Sequence, residues 1–197
     1  MTRGSAWLLA AGLLISAALW QSTRLASAGE LPVLYTLGGD FALRNTGGGV
    51  TRLSDLEGNL VLLNFGYTSC PDVCPAALAR MRDVLQSLPD PDVPIQPLFV
   101  TLDPQRDTLD RLQPYMNFFG ADFLGLTGTE AEIAQASAAY KVFYEKQTLE
   151  SELDYSISHS SHIYLLDTRG RVRATFGEGI TVPRMIDSVR LLLAEEG

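Results

Sequence analysis

The chain has 197 residues, 46% of them hydrophobic and 19% charged, which supplies one packed domain and argues against disorder. Its net charge is −8, and no cluster of Lys and Arg is present, which excludes a phosphate-binding, nucleic-acid surface. The acidity suits solubility and also suits contact with a basic partner patch.

Residues 1–28 contain Arg3 and Arg24 and no acid, leaving 13 basic against 23 acidic residues in the remainder. Ala6 to Trp20 is an apolar run, short for a membrane-spanning helix but normal for the core of an export signal. Ala26-Ser27-Ala28 supplies an A-x-A cleavage pattern, whereas Arg24 before it favours an uncleaved anchor. Both readings of 1–28, signal peptide or membrane anchor, put the body outside the cytoplasm, in the periplasm or facing it.

Residues 29–40 read as a linker, and 41–197 as the domain. Phe41-Ala-Leu-Arg44 and Val50-Thr-Arg-Leu53 flank Gly47-Gly-Gly49 and predict a hairpin. Ser54-Asp-Leu-Glu57 is a capping box for a short helical turn. Asn59 to Phe65 is a continuous apolar run bounded by Gly58 and Gly66, hence a strand buried on both faces. Val73 to Leu88 has helical spacing, and Leu98 to Leu102 is a second buried strand. Asp107 is placed to cap a helix over 108–119, and Thr129-Glu-Ala-Glu132 opens another, running to about Tyr144. Lys146 to Ser158 is polar and irregular. Ser161 to Asp167 predicts a third strand, Arg169-Gly170 a turn, Val172 to Phe176 a fourth strand, and Val182 to Glu195 a final helix. A parallel strand pair joined by a helix, then a terminal hairpin and helix, is a thioredoxin-like α/β layout with an N-terminal hairpin extension.

The chemistry concentrates in two cysteines and two histidines. Cys70-Pro-Asp-Val-Cys74-Pro75 follows a buried strand where a helix begins, the place where open α/β sheets build their sites. A helix N-terminus favours thiolate. Spacing of i and i+4 puts both sulfurs on one helix face, suited to clamping one soft ion or, after adjustment, to a disulfide. His159 and His162 are three apart, so a regular strand points them to opposite faces and at most one meets the cysteines. That disfavours a Cys2His2 zinc site, and two thiolates with one imidazole suit copper. On spacing alone, a structural disulfide and surface histidines account for the same residues.

Phe65-Gly-Tyr-Thr-Ser-Cys70-Pro-Asp-Val-Cys74-Pro75 resembles the signature of the Sco/SenC family of copper proteins. Val100-Thr-Leu-Asp103-Pro-Gln-Arg-Asp107-Thr, Gly125-Leu-Thr-Gly128 and His159-Ser-Ser-His-Ile-Tyr-Leu-Leu-Asp167 are similar to further family motifs, in the same order. The resemblance implies a thioredoxin-like fold with one copper ion, Cu(I) or Cu(II), on Cys70, Cys74 and His159, with His159 rather than His162 as ligand. It implies a metallochaperone that takes copper from an upstream donor and serves the copper-site subunit of cytochrome c oxidase, by delivering copper or reducing that site's cysteines. It also implies an N-terminal membrane anchor, and a place for Asp103 beside the site, orienting a ligand or partner. Ser158 departs from the family, which often has Asp there.

The competing reading is a metal-independent thiol-disulfide oxidoreductase with Cys70 and Cys74 as its redox pair. The three-residue spacer and the absence of proline from Ser156 to Asp167 suit metal binding better. A peroxidase is disfavoured: Tyr67 and Pro71 stand where an activating Thr or Ser would precede each cysteine.

Overall fold

A computed structural model describes residues 29–88, 90–148 and 155–197. The apolar run and cleavage pattern within 1–28 lie outside the described residues. Among the described residues, no helix is long and apolar enough to cross a membrane.

The elements in chain order are β1 (Ala42–Asn45), β2 (Val50–Arg52), a 3-10 turn (Leu53–Leu56), β3 (Leu60–Gly66), α1 (Val73–Gln86), β4 (Ile95–Thr101), α2 (Leu109–Phe119), β5 (Leu124–Thr127), α3 (Glu130–Ala139), β6 (Tyr144–Thr148), β7 (Tyr155–His159), β8 (Ile163–Leu166), β9 (Val172–Phe176) and α4 (Val182–Glu196). Seven strands form one sheet in the order β2-β1-β5-β4-β3-β8-β9, and β6 and β7 pair separately. β3, β4 and β5 run parallel, while β8 lies antiparallel to β3. The architecture is thioredoxin-like.

β3 is buried along its whole length because helices cover both faces, so it reads as a continuous apolar run. Val61, Leu63 and Phe65 pack with Ile133, Ala136 and Tyr140 on the α3 side. Leu60 and Leu62 pack with Ala77, Leu78 and Met81 of α1, Leu112 and Met116 of α2, and Met185 and Val189 of α4. On that face Gly66 continues the row from Leu62, and α1 starts directly above it.

Several expectations are corrected. α3 stops at Ala139, not Tyr144, in a Schellman turn: Val142 N–H donates to Ser137 O at 2.9 Å and Lys141 N–H to Ala138 O at 3.0 Å. The left-handed residue there is Lys141 (φ 54°), where a glycine would have announced the stop. Of residues 146–158, expected to be irregular, 146–148 and 155–158 instead pair as parts of β6 and β7, and 149–154 lie outside the described residues. β5, only four residues, was missed between two helices. The third predicted strand is confined to Ile163–Leu166, and His159 ends a different strand, β7.

Asp107 does not cap α2, whose N-cap position is Thr108; its carboxylate is buried and serves the site described below. The short helical turn is present as the 3-10 turn Leu53–Leu56, but Ser54 lies inside it rather than capping it, and its hydroxyl and N–H donate to Asp40. Residues 31–39, expected as linker, have no regular structure but are fastened down. Leu34 N–H donates to Val172 O at 2.8 Å, and Leu34 and Leu37 pack on the core.

Candidate metal centre

The site lies at the carboxyl ends of β3 and β4. β3 ends at Gly66, and the chain turns through Tyr67-Thr-Ser to Cys70, with Cys70 N–H donating to Tyr67 O at 3.2 Å. α1 begins at Val73, so Cys70 precedes the helix and Cys74 sits in its first turn. Cys74 is fully buried and Cys70 is 8% exposed. A Cβ on residue 66 would stand 2.6 Å from Cys74 Sγ and 2.9 Å from the Phe99 ring, so only glycine leaves room for that sulfur.

The third member arrives on β7. Tyr155, Ile157 and His159 alternate with Ser156 and Ser158, so one face of the strand carries the ring, the apolar side chain and the imidazole. Ile157 is buried with Tyr67, Cys70 and Cys74. His159 Nε2 lies 3.3 Å from Cys74 Sγ, and its Nδ1 lies 3.1 Å from Ser160 O. A carbonyl only accepts, so Nδ1 carries a proton and donates it there, and Nε2 is the ring atom turned to the sulfurs. One ligand atom from each of Cys70, Cys74 and His159 falls within 4.8 Å of the other two, a cluster that could hold a metal ion.

The sulfurs are electrostatically unequal. The Cys70 thiol is pulled down to about 3, chiefly by the hydrogen bond from Cys74, against the opposing effect of burial, with help from His159 and the backbone N–H groups of Asp72 and Cys74. The Cys74 thiol is pushed up, because it holds the proton the two sulfurs share and because it is buried. A metal-free, reduced site therefore presents one thiolate and one thiol.

The loop between β4 and α2 grips both halves of the site. Asp107 accepts from Thr68 N–H at 2.9 Å, Thr68 Oγ1 at 2.5 Å and Thr101 Oγ1 at 2.7 Å, which fixes the cysteine loop. Asp103, fully buried, accepts from the Tyr155 hydroxyl at 2.6 Å and from Arg106. Among the described residues, no hydrogen bond joins Asp103 to a cysteine or histidine; it reaches the strand that carries His159. His162 is exposed, its carbonyl accepts from Asn64 Nδ2, and its ring lies beside Gly177 and Tyr164, apart from the sulfurs. The histidines do separate, but because His159 belongs to β7 and His162 precedes β8, not because one strand alternates them. Sequence reasoning missed Gly66, Tyr67, Asp107 and Tyr155 as parts of the site. The alternating Tyr-Ser-Ile-Ser-His was the available signal for the last of these.

A family model described as SCO1/SenC matches residues 31–194. The chain belongs to the SCO1/SenC family. It is 37% identical over 155 residues to a SCO2-like protein of Rickettsia conorii, covering 78% of this chain and 76% of that one. It is 39% identical over 158 residues to the mitochondrial SCO2 homolog of Bos taurus, covering 79% of this chain but 59% of the bovine protein, so it spans about three fifths of that relative. Among solved SCO1/SenC-like structures, it matches Arabidopsis thaliana ScoI with copper bound at a TM-score of 0.74 and 30% identity, over 82% of this chain and 99% of the other. Bradyrhizobium japonicum ScoI with copper bound matches at 0.71 and 33%, over 79% and 97%.

Proposed function

We propose that the protein binds one copper ion through Cys70 Sγ, Cys74 Sγ and His159 Nε2, and hands it to the copper-site subunit of cytochrome c oxidase after receiving it from an upstream donor. The observation that carries this reading is the convergence of two sulfurs and one imidazole, anchored through Nδ1 on Ser160 O, within 4.8 Å. Two soft sulfurs favour Cu(I), and the imidazole extends the set to Cu(II), so one site accommodates both oxidation states. Copper-bound ScoI structures among its relatives support the choice of metal. Asp103 acts through Tyr155 and Arg106 on the strand of His159. The acting domain works outside the cytoplasm, delivered or anchored by residues 1–28.

A second reading has its own support: Cys70 favours thiolate and lies beside a protonated Cys74, the arrangement of an attacking and a resolving sulfur. Cys70 would attack a disulfide of the recipient, Cys74 would resolve the mixed disulfide, and the recipient would leave with two thiols while this pair closes its own S–S bond.

The test is metal analysis of the reduced protein after copper loading and gel filtration, with its Cu(II) absorption spectrum. One copper per chain is expected. Cys70→Ser or Cys74→Ser should abolish it, and His159→Ala should weaken mainly Cu(II). Loss of binding in His162→Ala with retention in His159→Ala would overturn the ligand set. A protein that stays copper-free but reduces disulfides would favour the second reading.

A further inference from the structure

The β6–β7 hairpin is a two-stranded sheet of its own, with no strand pairing to the central sheet. Isolated hairpins are marginally stable, so what fixes this one fixes His159. Three attachments come from the body to β7. The Arg106 guanidinium stacks on the Tyr155 ring, its Cζ 3.7 Å from the centroid, while its Nη1 donates to Tyr155 O at 2.9 Å. The Nε of the same guanidinium donates to Asp103, whose carboxylate also accepts from the Tyr155 hydroxyl at 2.6 Å. Two residues along, Ile157 N–H turns away from β6 and donates to the Tyr67 hydroxyl at 3.3 Å. The Tyr67 ring then meets the His159 ring edge-on at a centroid separation of 5.9 Å.

The ring contacts fall on one face of the strand and the backbone bonds on its free edge, all at alternate residues, and the last residue of that row is the imidazole. Tyr155 and His159 are ~13 Å apart at ~3.3 Å per residue, so the Arg106–Tyr155 end of the latch is remote from the ligand atoms, while its Tyr67 end touches the imidazole.

We propose that Arg106, Tyr155 and Tyr67 are positioning residues that latch β7 to the body, and that the latch sets how strongly the site holds Cu(II) relative to Cu(I). This rests on the copper reading above. With the latch released, the two cysteines remain on the loop and helix that Asp107 fixes, whereas the imidazole is free to drift from them. The loss therefore falls on the state that needs nitrogen.

The test compares Cu(I) and Cu(II) affinities of the full chain and of Arg106→Gln and Tyr67→Phe, together with amide hydrogen exchange of the metal-free proteins. Arg106→Gln is expected to lower Cu(II) affinity by about 10–100-fold, the usual effect of removing a group that orients a ligand, with Cu(I) changed less than about threefold. Arg106→Lys keeps the charge but not the fork and should restore only part of the loss. Exchange at residues 155–159 should quicken in Arg106→Gln while β3 and β4 stay protected, and Tyr67→Phe should expose the Ile157 amide. An unchanged ratio of Cu(II) to Cu(I) affinity, or equal losses of both, overturns the proposal. Were the unmodified chain to bind no copper, the copper reading would fall, and unchanged exchange in β7 would separately overturn the latch.

Discussion

The two ends of the central sheet each carry a buried knot of aspartate and arginine. Where β3 and β4 finish, Asp103 and Arg106 hold β7, and Asp107 holds the cysteine loop. At the opposite end, where β8 finishes, Asp167 accepts from Arg171 and Arg173, and Arg173 also donates to Glu195 of α4 and to Leu31 O. The Arg173 side chain is 2% exposed, and the elements it joins pack on the same apolar core. The Arg106 side chain is 23% exposed and holds a hairpin whose β6 strand is almost entirely exposed. Similar chemistry therefore seals the fold at one end and pins a separate two-stranded sheet at the other. Stability should answer to the far end, and metal binding to the near one.

The comparison breaks first on the cysteines. Cys74→Ser should abolish copper binding yet shift unfolding free energy by less than about 2 kcal/mol, read from metal titration and urea unfolding of one preparation. Arg173→Met should do the reverse. It removes one of the two arginines on Asp167, which keeps Arg171, and the arginine partner of Glu195, costing about 1–3 kcal/mol, while one copper per chain still binds well below the melting temperature. Gly66→Ala should touch both, costing about 1–3 kcal/mol for overpacking and lowering copper affinity by displacing Cys74 Sγ.

Acid sharpens the far end. Burial alone would raise the Asp167 carboxyl, but hydrogen bonds from the Arg171 side chain and from Arg171 and Arg169 N–H outweigh it and hold the carboxyl low. A lowered folded pKa contributes stability above the unfolded value of about 3.9, and this is lost as pH falls below it. The urea midpoint should drop between about pH 5 and pH 3, and the drop should shrink in Asp167→Asn. The smallest effect belongs to His162→Ala, exposed and apart from the sulfurs, with less than about 0.5 kcal/mol of stability and no change in copper stoichiometry.

What could be read from the sequence follows how locally each element is encoded. β3, α1 and α4 announce themselves through apolar runs or helical spacing, and the cysteine pair through its place after β3. The end of α3 was hidden because Lys141 occupies a left-handed position without a glycine. β6 was hidden because Glu145 to Thr148 are all polar and exposed, held by pairing with β7 rather than by burial. Asp107 was misread as a cap because a capping aspartate and a buried loop-bracing aspartate look alike until Thr68, 39 residues away, is placed beside it. The meeting of His159 with Cys74 across 85 residues rested on family resemblance, since no local pattern encodes it.

The unequal depth of the two sulfurs gives the site an inside and an outside. Cys74 is walled in behind Gly66 and the Phe99 ring, whereas Cys70 keeps a sliver of solvent contact at the rim. Under the copper reading proposed above, an incoming thiolate or imidazole would reach the ion from the rim, where Cys70 and the half-buried His159 lie, and the inner sulfur would be the last to let go.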